Sequence, residues 1–411
     1  MSAIAIDLPQ DVVAARDGII AFAEQEILPR HTQHRTLFED PRALYDREGR
    51  FSPALQALIS EVRRTSAAAG FYQMCVPEEL GGGGLGHLAY YVAWEALFHH
   101  CGPQNWLMLY ALAHWAFGPS RLLEQTTEQA RTQIMPGLLD GSQSMCFGLS
   151  EPNAGSDASM IRTKAVRDGD GWRISGRKIW TTNAPVADYC VIFAVTDNKL
   201  AQQKKGGISA FMVPTNSPGF TVQRIIKLFG HIGGDEAELA FDDLYVEPWQ
   251  LVGELNNGFA AALYGVSLGR IYNSARAVGY GRWAVELALE YAKNREAFGS
   301  TISNYQAVTF PLAESATQLH AAHLMGINAA MLLDQGAAAV KELSMTKAYS
   351  VQVGYAAVDQ AMQTHGAMGF TNEVGLTEAW HALRIVNVAD GTNEILNRTI
   401  AQRLLKGDLD I

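Results

Sequence analysis

The stretch Val388-Ala389-Asp390-Gly391-Thr392-Asn393-Glu394-Ile395 brings an acidic residue through an apolar approach to a helix start. An aspartate arriving on such a strand-like segment loses solvation, so its pKa rises and it becomes a stronger base. Thr392 is the expected N-cap of the following helix. The structural alternative is an Asp390 that merely favours a helix N-terminus.

A second pair of stretches could hold reactants. Phe147-Gly148-Leu149-Ser150-Glu151-Pro152-Asn153-Ala154-Gly155-Ser156-Asp157 follows an apolar run from Met145 and is crowded with turn residues, which expose backbone N–H groups to an anionic or carbonyl-bearing ligand. Lys178-Ile179-Trp180-Thr181-Thr182-Asn183 comes after alternating residues that read as two strands joined at Ser175-Gly176. An indole beside small hydroxyls suits a flat, polar-edged ring such as a flavin, and equally suits a core tryptophan near a glycine-rich loop. Arg295-Glu296-Ala297-Phe298-Gly299, ending one helix, and Gln306, opening the next, could meet a pyrophosphate through the arginine fork, or could be a helix-terminal charge facing the dipole. Gln363-Thr364-His365-Gly366-Ala367-Met368-Gly369-Phe370 reads as a helix end with Gly366 as a left-handed cap.

These residues need elements to hold them. Three- and four-residue apolar spacing predicts helix from Asp11 to about Arg64, punctuated by Pro29, Pro41 and Pro53, and again from Leu85 to Leu123, where aromatics are dense. Gly81 to Gly84 must be loop. Between Ser144 and about Val252 short alternating runs separated by Gly, Pro, Asn and Asp clusters predict an antiparallel β-domain. Gly269 to Asn294, Gln306 to Gln335, Ala338 to His365 and Thr392 to Leu405 predict long helices of bundle length. Residues 1–142, 143–254 and 255–411 are therefore the expected domains.

Composition narrows the chemistry. A net charge of −10 argues against a general surface for nucleic acid or an anionic membrane, since either needs a basic face, and leaves room for isolated basic sites that meet a phosphate. The cysteines Cys75, Cys101, Cys146 and Cys190 form no CxxC pair, and their sparseness fits reduced thiols in the cytoplasm. The Met1 to Asp7 stretch reads as carrying no export or organelle signal, and no run reaches the ~18 apolar residues of a membrane span. No HExxH, Gly-x-Ser-x-Gly or GxGxxG occurs, and His99-His100 and His320 with His323 lack a matching ligand set, so no metal site is expected.

In this order the stretches resemble the acyl-CoA dehydrogenase family across nearly the whole chain. The resemblance implies an α+β fold with an N-terminal all-α domain, a middle β-domain and a C-terminal four-helix bundle, assembled as a homotetramer or homodimer. It implies FAD as cofactor, with Phe147, Leu149 and Ser150 touching the flavin, Trp180 against its ring and Thr182 near the reactive edge. Arg295, Phe298 and Gln306 match the segment that holds the diphosphate and adenosine, largely of a neighbouring subunit. Gln363, Thr364 and Gly366, with Thr392 and Glu394, match the remaining dinucleotide contacts. Ser156 falls where the family contacts CoA, and Arg270 matches an arginine on the helix lining the site. The implied reaction is α,β-dehydrogenation of an acyl-CoA thioester to the trans-2-enoyl product, with electrons passing to an electron-transfer flavoprotein.

The chain departs from the family pattern at its base. Most members carry glutamate where this chain has Asp390; the alternative helix position is Gly269, and Gln104-Asn105-Trp106-Leu107 holds no acid. Leu396-Asn397-Arg398 also differs from the family, which more often has arginine at the middle position. Asp390 is shorter than glutamate by about 1.5 Å of reach, which favours a branched, cyclic or substituted acyl group. Two further readings stand beside the dehydrogenase: a flavin oxidase or monooxygenase of the nitroalkane oxidase kind, and a dehydrogenase of carrier-protein thioesters.

Overall fold

Prolines and short polar caps divide the N-terminal helical pattern. The computed structural model describes residues 6–410, so the first five residues of the stretch read for a targeting signal lie outside the described residues. Helix α1 (Gln10–Phe22) runs through a wider turn at Ala23–Ile27 into α2 (Leu28–Gln33), followed by α3 (Arg35–Glu39), α4 (Pro41–Leu44) and α5 (Pro53–Ala68). Pro41 and Pro53 sit in first turns, where a missing N–H is harmless, behind Asp40 and Ser52, which accept from Arg42 N and Leu55 N. Helix α6 (Gly86–Cys101) carries the aromatic run. The expected continuation to Leu123 is instead a pair of 3₁₀ segments, Pro103–Tyr110 and Arg121–Gln125, because Gly102 at φ +61° and Pro103 end the helix. Helix α7 (Glu128–Leu139) follows, capped by Thr127.

The strands are β1 (Met145–Gly148), β2 (Lys164–Asp168), β3 (Gly171–Thr181), β4 (Tyr189–Val195), β5 (Ile208–Pro214), β6 (Phe220–Ile225), β7 (Ala237–Val246) and β8 (Leu251–Val252), with a short helix α8 (Asn198–Gln202) between β4 and β5. Their order is β6-β7-β3-β2-β4-β5-β8, with β1 added against β4. The sheet is antiparallel except that β1 and β2 each run parallel to β4. Ser175-Gly176 is not a hairpin: β3 passes straight through it, and the turn lies at Asp168–Gly171. The Ser175-Gly176 signal marks instead a register shift against β7, with Gly176 backed onto Thr163 where a Cβ would stand 2.4 Å from Oγ1.

The C-terminal part holds α9 (Gly258–Asn294), a two-stranded ribbon β9 (Glu296–Ala297) and β10 (Ser300–Thr301), α10 (Gln306–Asp334), α11 (Val340–His365), α12 (Leu376–Val386) and α13 (Asn393–Leu405). The expected long helices are present, and α12 is additional.

Spatially the chain forms two compact units. One comprises the residues up to Leu28, Leu85–Met108 and those from Ser267 on; the other comprises Pro29–Gly84 and Leu109–Val266. In the first unit α6 packs on α1 and α10, and α11 on α10, α12 and α13. Glu95 lies buried on α6, hydrogen-bonded to Arg282 at 2.7 Å and to the His323 ring at 2.5 Å, which keeps its carboxyl below the usual range despite burial. In the second unit β4 and β5 are buried on both faces. Phe193 and Met212 point into one cluster with Ile134 and Leu138 of α7, and Ile192 and Phe211 into another with Trp172 and Leu239. That two-sided burial explains the continuous apolar runs of these strands.

Gly326 on α10 admits the buried Tyr91 ring, since an added Cβ would lie 2.1 Å from its Cζ. Gly326→Ala is expected to destabilise the protein by about 1–3 kcal/mol through overpacking, read as a lower urea midpoint.

Candidate functional site

In the helical unit, Asp390 follows the end of α12. The segment Asn387–Asp390 is not strand-like: Val388 N and Ala389 N both donate to Ile385 O, continuing the helix end as turns. Val388 is exposed, so the apolar approach does not bury the aspartate. Burial comes instead from side chains of α9 and α11. Asp390 takes φ +53°, a left-handed geometry that aspartate tolerates better than most residues, and Gly391 follows at φ +97°. Thr392 then caps α13 as expected, its Oγ1 accepting from Ile395 N at 3.3 Å.

Around that turn stand Arg270 and Asn273 on α9 and Lys347 on α11. Asn273 Nδ2 donates to Asp390 Oδ2 at 2.7 Å. Lys347 is fully buried and its Nζ donates to Gly391 O at 2.8 Å, pinning the left-handed turn. Arg270 is buried, donates from Nη1 to Ser344 Oγ at 3.4 Å and leaves its Nε without a partner. Burial pushes the Asp390 carboxyl up to about 6, although the charges of Lys347 and Arg270 and the Asn273 hydrogen bond pull it down. Burial likewise lowers Lys347 to about 8 against the opposing pull of Asp390. At neutral pH the site therefore holds an ionised carboxylate that accepts a proton more readily than an exposed aspartate does.

Glu394 is exposed in the first turn of α13, its carboxyl lowered by its own backbone N–H and the Thr392 hydroxyl. The remaining candidates of this unit lie at exposed element ends. Arg295 precedes the β9–β10 ribbon and Phe298 sits in its turn, at φ +51° and 98% exposed, while Gln306 opens α10. The expected hinge is thus a ribbon, held by Tyr305 Oη donating to Ala297 O at 3.0 Å. Gln363, Thr364 and Gly366 end α11, with the Gly366 φ at +60° and open space where a Cβ would be.

In the sheet unit the loop after β1 is fixed from beneath. Lys178, fully buried on β3, donates from Nζ to Leu149 O at 3.0 Å and to Glu151 Oε1 at 2.9 Å. The Glu151 carboxylate also accepts from Arg162 N and Thr163 N. Burial alone would raise Glu151, but the Lys178 charge and these donors hold it below its usual range; burial lowers Lys178 only to about 8, so the pair stays ionised at pH 7. Ser150 is tied to β3 through Ile179 N donating to its carbonyl at 3.0 Å. Phe147 is half-buried, edge-on to Trp115 at 5.0 Å and tilted against Phe193 at 4.8 Å.

Trp180 is no core residue. It sits in the second register shift between β3 and β7 at φ +61°, with its side chain 56% exposed, as a bulge that re-aims a side chain would place it. Next to it the buried Thr181 Oγ1 has no partner, and Thr182 and Leu149 are half-buried. Ser156 is exposed. An outward indole fits the face of a flat ring better than it fits a packed core.

Asn273, Lys347 and the Glu151–Lys178 pairing were not singled out among the sequence candidates. Asn273 lies three residues after Arg270 and Lys347 three after Ser344, so each polar residue repeats on one helix face. That spacing was the available signal. The cysteines carry no such role: burial pushes Cys101 up to about 12 and raises Cys146 as well. Among the described residues no cluster of His, Cys, Asp and Glu could hold a metal, and no helix is long and apolar enough to cross a membrane.

Family models describing the N-terminal, middle and C-terminal domains of acyl-CoA dehydrogenases match residues 9–142, 146–244 and 256–405. The mitochondrial short-chain specific acyl-CoA dehydrogenase of Bos taurus is 35% identical over 401 residues, covering 98% of this chain and 92% of that protein. The CarC subunit of the caffeyl-CoA reductase-Etf complex of Acetobacterium woodii is 34% identical over 346 residues, 84% of this chain and 90% of that protein. Among solved structures, butyryl-CoA dehydrogenase from Megasphaera elsdenii matches with a TM-score of 0.83 at 26% identity, covering 98% of this chain and all of that one. This chain belongs to the acyl-CoA dehydrogenase family.

Proposed function

We propose that the protein is an FAD-dependent acyl-CoA dehydrogenase in which Asp390 removes the α-proton of an acyl thioester to give the trans-2-enoyl product. The observation that carries this reading is the Asp390 carboxylate itself, half-buried, raised to about 6 and held among Arg270, Asn273 and Lys347. FAD, when bound, supplies the acceptor for the electron pair that leaves with the β-hydrogen. Phe147, Leu149, Ser150, Trp180 and Thr182 are the residues assigned to the flavin. Arg295, Phe298, Gln306, Gln363, Thr364, Gly366, Thr392 and Glu394 are assigned to the rest of the dinucleotide. Ser156 and Arg270 are assigned to the substrate, the unpartnered Arg270 Nε being a buried donor that a polar substrate group would satisfy.

Proton removal requires the ionised form of Asp390. Its short side chain on a turn pinned by Lys347 leaves it about 1.5 Å less reach than a glutamate, so the α-carbon must come closer. That supports a branched, cyclic or substituted acyl group. An electron-transfer flavoprotein is the proposed acceptor, in keeping with the relative that is a subunit of an Etf complex. A homotetramer of three-domain protomers, divided at 142/143 and 254/255, is the proposed assembly.

Anaerobic mixing of the FAD-loaded protein with a panel of straight-chain, branched and cyclic acyl-CoA thioesters tests the reading. Bleaching of the flavin absorbance by a branched or cyclic thioester is expected. Bleaching by nitroalkanes with no response to any thioester overturns it. Asp390→Asn is expected to retain FAD and lose about 10²–10⁴-fold in kcat, the usual contribution of a general base; near-normal turnover rules out the assignment. Because the base works as carboxylate, kcat/KM is expected to rise with pH through an acid limb near 6, flattening above it. A limb near 4, the value of an exposed aspartate, would contradict the burial argument.

A further inference from the structure

Two cations and one neutral amide surround the Asp390 carboxylate, and they do different work. Lys347 Nζ is directed to the Gly391 carbonyl and Arg270 Nη1 to the Ser344 hydroxyl. Among the described hydrogen bonds, the donor to the carboxylate is Asn273 alone, at 2.7 Å to Oδ2.

We propose that Asn273 is the positioning residue of the base: by engaging Oδ2 of Asp390 it fixes the plane of the carboxylate and leaves Oδ1 as the oxygen that takes the α-proton. This rests on the reading of Asp390 as the base. Asn273 is 3% exposed in the interior of the 37-residue α9, beside the buried Ile271, Tyr272 and Ala275. Asparagine is a poor helix former, and burying an amide is costly unless it is hydrogen-bonded. Neither feature serves the packing of α9; both are accounted for if the amide is there to meet Asp390. A rigid helix is also the right mount, because a site held on a helix varies less than one on a turn.

The choice of a neutral donor has its own logic. A cation hydrogen-bonded directly to the carboxylate stabilises its ionised form strongly and makes it a weak base. An amide orients the same oxygen with a smaller loss of basicity. The charged groups around the site are Arg270 from α9, Lys347 from α11 and Glu394 from α13, and the two cations act on Asp390 through space.

Asn273→Leu, close in volume and without a donor, is the decisive variant. It is expected to lower kcat roughly 10- to 100-fold, the usual range for a hydrogen bond to a charged group, with KM changed less than about 3-fold. Its acid limb is expected to move up by about one unit, since the lost bond favoured the carboxylate. Infrared difference spectroscopy without substrate supplies a second readout. The protonated carboxyl band that Asp390→Asn removes is expected to titrate at higher pH in Asn273→Leu than in the unaltered protein. If Asn273→Leu fails to fold, Asn273→Ala carries the same comparison, with partial restoration by added acetamide expected. An unchanged kcat and acid limb in the Asn273 variants, while Asp390→Asn is inactive, overturns the positioning role alone. An active Asp390→Asn overturns the base assignment, and the infrared titration still decides whether Asn273 tunes that carboxyl.

Discussion

A carboxylate that must take a proton from carbon is caught between two demands. Exposed to water it is too weak a base, and sealed in an apolar pocket it takes up a proton and stops being one. Asp390 lies between these limits, and the surrounding helices are arranged to keep it there. Burial raises it to about 6, and Arg270 and Lys347 restrain that rise through space while their own hydrogen bonds go to Ser344 and Gly391. Had either cation bonded the carboxylate directly, the charge would be held and the basicity lost. Arg270 and Asn273, less than one turn apart on α9, and Lys347 on α11 together supply that restraint.

The sheet unit solves a different problem with a similar device. A ligand-holding loop needs exposed backbone groups, and a loop rich in Pro, Gly and Ser has no core of its own to stiffen it. Lys178 supplies the stiffness from below by bonding both the Leu149 carbonyl and the Glu151 carboxylate, which in turn collects the N–H groups of Arg162 and Thr163. A buried pair of this kind adds little net stability because both ions are desolvated, but removing one partner strands the other. Its value is geometric, since one lysine ties the loop after β1 to the strand that carries Trp180.

Much of this was legible in the residues. The order of helical, strand and helical periods, the Thr392 cap and the helix starts at Pro41 and Pro53 all follow from local rules that no tertiary contact overrode, whereas helix continues through Pro29. Where tertiary structure decided, the reading failed. Ser175-Gly176 carries turn residues, but within the sheet it serves a register shift in an unbroken strand. The apolar run before Asp390 resembles a strand, yet Val388 faces solvent and the burial is supplied by helices distant in sequence. Asn273 and Lys347 are the clearest case: a polar residue on the buried face of a helix has no meaning until its partner is known, and here the partners are 117 and 44 residues away.

The same burial that raises the Asp390 carboxyl works against the fold once that group is ionised. A carboxyl whose pKa is raised from 3.8 to about 6 binds its proton more tightly in the folded than in the unfolded chain. Its contribution to stability is therefore fully present below the unfolded value and is lost as pH rises through about 6. The carboxyl therefore ionises over the pH range in which its contribution to stability is lost. Carboxyls held below their usual range, such as Glu95 and Glu151, have the opposite sign: their contribution is present at neutral pH and is lost as acid protonates them. The two kinds of buried carboxyl thus respond to pH in opposite directions: acid weakens the Glu95 and Glu151 pairings, while rising pH removes what the protonated Asp390 contributes, so the turn around Arg270, Asn273 and Lys347 carries a charge that the fold itself does not favour.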